Sequence, residues 1–136
     1  MKKKIVYVPL AVDFLHEGHI NILRIAKKYG DVIVGLLTDE AIANYKSIPI
    51  LDYKNRELLV KNLKYVSKVV PQKTEDYSYN LNKIKPNFFV HGDDWKYDNR
   101  KKTRAKVIKM LKKWSGKLIE PKYTKNISSF KIKNKI

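Results

Sequence analysis

The chain contains no cysteine in 136 residues. That excludes a disulfide framework, a thiolate metal centre and a thiol nucleophile, and it suits a reducing compartment. No run approaches the ~18 apolar residues of a membrane span. The basic start, MKKKIVYVPLAVDFLHEGH, has only a short apolar stretch, broken by Pro9 and Asp13, with no A-x-A-like cleavage site after it, so a signal peptide is not expected. A cytoplasmic protein is the expectation. Acids are also few: 13 against 30 Lys and Arg, giving a net charge of +17. Residues 101–136 carry thirteen of those basic side chains and one acid, Glu120. Such a field attracts nucleotides, nucleic acid or anionic membrane, although many of these lysines simply solvate the surface. Internal repeats, low-complexity linkers and composition shifts are lacking, so residues 1–136 read as one domain. Hydrophobic content is 43%, enough for a core of ordinary size.

Short apolar runs alternate with helical patterns. Strands are expected at Ile5–Leu10, Asp31–Leu37, Lys68–Val70 (ending at Pro71), Phe88–Val90 and Lys117–Ile119. DVIVGLL suits a strand buried on both faces. Helices are expected from Gly18 to Lys28 with Gly30 ending it, over Asp39–Tyr45 capped by Thr38, and over Tyr53–Leu63 capped by Asp52. Further helices are expected at 80–85, stopped by Pro86, at Lys101–Ser115, closed by Gly116, and after Ser128 or Ser129. This alternation predicts an α/β fold: one Rossmann-like domain with a parallel sheet of about five strands and helices on both faces. Ligands bind such sheets outside the carboxyl ends of the strands.

Histidine is scarce too, yet two of the three, His16 and His19, stand together in DFLHEGHINIL, between the first strand and first helix. Positions three apart at a helix start are neighbours, and side chains lean toward the helix N-terminus. Both imidazoles can therefore face one anion, where free N–H groups and the helix dipole favour phosphate. Gly18 removes a side chain where a ligand approaches. Two ordinary surface histidines, or a zinc pair, are the alternatives; zinc lacks a third ligand here and the usual His-x-x-x-His spacing. VHGDDWK follows the fourth strand and YTKNISSFKI the fifth, so three strand ends carry polar groups suited to one nucleotide.

AVDFLHEGH, GDDW and NISS, in this order and at these separations, resemble the three motifs of the cytidylyltransferases of the H-x-G-H nucleotidyltransferase superfamily, along nearly the whole chain. RELLVKNLKYV with VVPQ resembles the family's central helix and strand. Within the family, GLLTDEAIANYKSIPIL, VHGDDWK and KLIEPKYTKNISS look most like the phosphonate branch, which includes 2-aminoethylphosphonate cytidylyltransferase; glycerol-3-phosphate enzymes look more distant. The resemblance implies transfer of CMP from CTP to a small phosphonate or phosphate acceptor, with pyrophosphate released. It implies catalytic roles for His16, His19 and Lys46. It implies nucleotide contacts from Leu10, Ala11, Asp13, Gly18, Arg56, His91, Gly92, Asp94, Ile127, Ser128 and Ser129. Magnesium is expected on the phosphates, with Asp13 and Asp94 as candidate ligands, and a homodimer is expected.

The chain departs from the family pattern in several places. Leu10 and Ala11 stand where relatives have Gly-Thr, Asn126 replaces a glycine, Phe130 replaces a threonine, and Lys64 replaces an arginine. A degenerate, inactive relative is therefore an alternative, as are glycerol-3-phosphate or phosphocholine as acceptor, adenylyl transfer, and a basic nucleic-acid-binding module. For an acceptor with an ammonium head, Asp76, Tyr77 and Tyr79 in TEDYSYN offer a carboxylate and aromatic faces, and Trp95 faces the same loop.

Overall fold

The structure, a computed structural model, describes residues 3–44, 49–96 and 100–122. Five strands form one parallel sheet: β1 (Ile5–Leu10), β2 (Asp31–Leu37), β3 (Lys68–Gln72), β4 (Phe88–Val90) and β5 (Lys117–Ile119). Their spatial order is β3-β2-β1-β4-β5. The chain winds outward from β1 in one direction, then restarts at β4 in the other. The switch point between β1 and β4 opens a crevice at their carboxyl ends, where such folds bind ligands. The expected α/β class and parallel sheet are thus present.

Helices cover both faces. α1 (Glu17–Lys27) and α3 (Tyr53–Lys61) bring Leu23, Ala26 and Val60 against Val6, Val8, Val32 and Val34. α4 (Ser78–Ile84) and α5 (Lys101–Lys112) bring Leu81, Val107, Met110 and Leu111 against Tyr7 and Phe89 on the opposite face. Alternation along β1 divides its side chains between the two cores, Val6 and Val8 on one side and Tyr7 on the other. Each fully buried side chain of this size contributes roughly 1.5–3 kcal/mol. α2 (Asp39–Ala43) is a short helix capped, as expected, by the Thr38 hydroxyl, which accepts from Ala41 N at 3.2 Å.

Tyr7 occupies the room left by a missing side chain on β2. A Cβ on Gly35 would lie 1.9 Å from the Tyr7 hydroxyl oxygen. That hydroxyl donates to Gln72 Oε1 and accepts from Asn80 Nδ2 at 2.9 Å, which ties β1, β3 and α4 together inside the core. Burial pushes the Tyr7 phenol well above its ordinary range.

Three boundaries differ from expectation for local reasons. β3 continues through Pro71 to Gln72, because it is an edge strand, where proline's missing N–H removes no ladder bond. α4 starts at Ser78 and ends with Lys85 in the left-handed conformation (φ 49°), just before Pro86. α5 stops at Lys112 rather than Ser115. Ser115 (φ 60°), not Gly116, takes the left-handed position, and Gly116 N donates back to Leu111 O at 2.8 Å. Gly116 is required for packing instead: a Cβ there would lie 2.9 Å from Leu111 Cδ2 and 3.0 Å from Pro86 O.

Candidate active site

The two histidines cap α1. His16 is the N-cap residue, and its Nδ1 accepts from Gly18 N at 3.1 Å. His19, three positions later, returns the bond: its Nδ1 accepts from His16 N at 3.2 Å. This is the reciprocal geometry of a capping box, in which a Ser or Thr and a Glu usually serve. The rings pack with centroids 3.9 Å apart. An imidazole whose Nδ1 accepts from the backbone carries its proton on Nε2 when neutral. Burial lowers the His16 pKa, favouring that neutral form. The pair therefore does more than satisfy orphan helix donors: it fixes two rings in one tautomer at the positive end of a helix.

The loop between β1 and α1 is strained and clamped. Val12 is buried and left-handed (φ 55°), an uncommon conformation for a β-branched residue. Arg56, on α3, holds the loop from below. Its Nη1 donates to Ala11 O and to Leu37 O, each at 2.7 Å; Nε donates to Leu51 O at 3.0 Å; Nη2 donates to Asp39 Oδ1 at 2.6 Å. The side chain is 0% exposed. Four of five N–H donors bind protein, so Arg56 does not present its guanidinium to a nucleotide as the resemblance implied. It joins the ends of β1 and β2 to α3.

A cavity of about 260 Å³ lies at the switch point. Leu10, Ala11 and His19 line its β1 side, with Pro9 and Leu37 beside them. His91, Asp94 and Trp95 line the β4 side. Glu75, Tyr77, Arg100 and Thr103 complete the wall. His91 stacks on Trp95 with centroids 3.7 Å apart and an interplanar angle of 7°. Its Nδ1 lies 2.8 Å from Gly92 O, and burial lowers its pKa. The neutral ring thus donates Nδ1–H to that carbonyl and keeps Nε2 as an acceptor, the reverse of His16 and His19. Gly92 fits the tight β4 turn, since a Cβ there would lie 3.1 Å from Asp94 Oδ1.

Several expected site residues are engaged elsewhere. Trp95 is fully buried, and its Nε1 donates to Glu120 Oε2 at 2.7 Å, so it serves as a wall and not as an open aromatic face. Arg104 holds the same carboxylate at both oxygens, at 2.8 and 2.9 Å, and keeps its pKa below the usual range. Asp76 lies outside the cavity wall. Its Oδ1 accepts from Ser78 N at 2.9 Å, and its Oδ2 meets Lys106 Nζ at 2.7 Å. Bonds from Lys106 and Ser78 lower its pKa to about 2. Tyr79, 74% exposed, borders a separate groove beside β3. The TEDYSYN loop therefore divides, and only Tyr77 of the three chosen residues reaches the cavity. Glu75, Arg100 and Thr103 were not anticipated. Their signal was position alone: one residue from Asp76, and the first turns of α5.

Asp13 is buried (1% exposed) beside this loop, and Asp94 is ion-paired to Arg100 at 2.9 Å. Among the described residues no group of three or more His, Asp or Glu side chains gathers to hold a metal ion. Lys46, Ile127, Ser128 and Ser129 lie outside the described residues, as do Asn126 and Phe130. No described helix is long and apolar enough to cross a membrane.

Comparison with known proteins gives the family. The profile of the family described as "Cytidylyltransferase-like" matches residues 12–135. The glycerol-3-phosphate cytidylyltransferase of Bacillus subtilis (strain 168) is 34% identical over 140 residues, covering 100% of this chain and 98% of its own. The ethanolamine-phosphate cytidylyltransferase of Dictyostelium discoideum is 37% identical over 94 residues, 65% of this chain and 25% of its own. Among solved structures, the lipopolysaccharide core biosynthesis protein of Thermoplasma volcanium GSS1 superposes with a TM-score of 0.76 at 27% identity, over 90% of this chain and all of that one. The two cytidylyltransferases are named for glycerol 3-phosphate and ethanolamine phosphate, whereas the motifs of this chain look most like the phosphonate branch. With the profile spanning the histidine cap and the last strand, the chain belongs to the cytidylyltransferase-like family and is a nucleotidyltransferase.

Proposed function

We propose that the protein transfers CMP from CTP to a small acceptor bearing a phosphate or phosphonate group. The observation that carries this reading is the histidine cap: two imidazoles held through Nδ1 at a helix N-terminus, one of them lining the cavity. In the reaction, an acceptor oxygen attacks the α-phosphorus in line, the bond to the β-phosphate breaks, and pyrophosphate leaves. Such chemistry depends on positioning and charge stabilisation and not on a covalent intermediate. His16 and His19 donate to the oxygens on which charge builds. On the β4 side, His91 Nε2 is an acceptor suited to an exocyclic base amine, which cytosine has and uracil lacks.

The relative matched at full length takes glycerol 3-phosphate by its name. On likeness, that acceptor stands ahead of 2-aminoethylphosphonate. The amine-bearing reading is supported by the likeness to an ethanolamine-phosphate enzyme and by the carboxylate of Glu75 in the cavity wall.

The test is pyrophosphate release across four nucleoside triphosphates and a panel of phosphate and phosphonate acceptors. CTP should support release with at least one acceptor and exceed the other nucleotides. Release with none, or a preference for ATP, contradicts the reading.

A further inference from the structure

α4 and α5 pack on Tyr7 and Phe89, over β1 and β4. Over β2 and β3 the same face of the sheet is less covered: Ile33 and Val70 stay half-buried and floor a groove of about 610 Å³ beside α4. That volume suits a small-molecule site. Alternation puts Lys68, Val70 and Gln72 of β3 on this one face, and all three line the groove. α4 returns from β3 to the parallel strand β4, so it runs opposite to them. Tyr79 and Asn80, at its start, therefore lie toward the carboxyl end of β3, where Asn80 Nδ2 donates to Gln72 Oε1 at 3.1 Å. Lys83, a turn later, lies toward the amino end, where Lys68 stands. Asp76, the one carboxylate lining the groove among the described residues, is held by Lys106 at 2.7 Å. Asn80 is 9% exposed. Its Nδ2 also donates to Pro71 O at 2.9 Å, an atom that can only accept, which fixes the nitrogen end of the amide. Its Oδ1 accepts no hydrogen bond among the described residues. The Tyr79 ring beside it is exposed.

We propose that this groove is a second binding site, separate from the switch-point cavity, and that its ligand class is a nucleotide. The base stacks on Tyr79, its amino group donates to Asn80 Oδ1, and the phosphate meets Lys83 and Lys68 at the far end. Each group of the groove then has a partner. An aliphatic anion would bring no N–H to the Asn80 acceptor, and inorganic phosphate would leave the ring and the apolar floor bare.

The site is tested by binding, independently of CMP transfer. Amide nitrogen–proton spectra of the full chain are recorded during titration with CMP, AMP, adenosine or inorganic phosphate, for the wild type, Tyr79→Ala and Lys83→Ala. Both substituted side chains are exposed, so the fold is retained. Amides of residues 68–72 and 79–84 report the groove; those of His19 and Gly92 report the switch-point cavity. CMP or AMP should shift the groove amides saturably, and adenosine should bind there more weakly. A tighter fit for CMP names the reacting nucleotide pool as the source, and a tighter fit for AMP names a nucleotide outside the reaction. Tyr79→Ala should weaken groove binding by about tenfold or more and Lys83→Ala by about twofold to fivefold, with the cavity shifts retained. No groove shift with either nucleotide overturns the site, as does a Tyr79→Ala affinity equal to that of the wild type. Inorganic phosphate that binds as tightly as the nucleotides overturns the ligand class. Groove shifts that follow protein concentration without ligand, and vanish in Tyr79→Ala, put a second copy of the chain there and also overturn the proposal.

Discussion

Arg56 and Arg100 both stand near the carboxyl end of the sheet, and they are held in opposite ways. Arg56 is fully buried, with three backbone carbonyls and the Asp39 carboxylate as its acceptors. Arg100 meets Asp94 through a pair in which both side chains are more than a third exposed. The first arrangement carries the loop that leads to the histidine cap; the second belongs to the wall that includes Glu75. Leaving a buried backbone acceptor without its donor costs about 1–3 kcal/mol, whereas an exposed pair contributes about 0–1 kcal/mol. The loop before the histidine cap is thus built to a fixed geometry, and the Asp94–Arg100 wall is built from charges that change at little cost to the fold.

The strongest way to break the contrast is Arg56→Ala. It leaves the Ala11 and Leu37 carbonyls without their donor, so a loss of about 2–5 kcal/mol is expected in a denaturant titration. Arg56→Lys should recover only part of this, because an ammonium cannot reproduce the planar fork. Next in size are His16→Ala and His19→Ala. Each should lower kcat by about 10²–10³, with a loss of only about 1 kcal/mol from the helix cap.

The pH dependence sharpens the same end of the molecule. Burial holds the His16 pKa below 6.5, so the folded state binds fewer protons than the unfolded chain around that pH. The cap's contribution is therefore complete above about 6.5 and is lost as pH falls through the lower, folded value. A kcat profile should show an acid limb with its midpoint below 6.5. The smallest effect belongs to the exposed side. Lys106→Ala removes the Asp76 pair, whose stability is present above about 3.8 and lost as pH falls toward about 2. With both side chains more than half exposed, the loss in thermal unfolding at neutral pH should stay under about 1 kcal/mol.

The same division governs what could be read without coordinates. Strand and helix identity followed from period and from capping residues such as Thr38 and Asp52, because these depend on near neighbours in sequence. The histidine motif was legible as a helix start, although its reciprocal bonding was not, since either ring nitrogen can accept. The clamp made by Arg56 is not legible in sequence, because its acceptors are backbone carbonyls on tertiary partners up to 45 residues away. Asp76 reads in sequence as a carboxylate in a polar loop, whereas in the fold it turns back onto Ser78 N and Oγ and reaches Lys106, 30 residues away. Pro71 in β3 was unreadable until the strand order made β3 an edge.

The central claim is that the two histidines act on the reacting phosphate and do not merely cap a helix. His16→Ser tests it most directly, because serine is a preferred N-cap and preserves the backbone bond while removing the Nε2–H. The measurement is single-turnover CMP transfer at saturating CTP, with thermal unfolding recorded on the same sample. The account predicts a rate lower by about 10²–10³ and a melting temperature within a few degrees of the wild type. A near wild-type rate would contradict it, as would a loss of rate that simply follows a loss of fold.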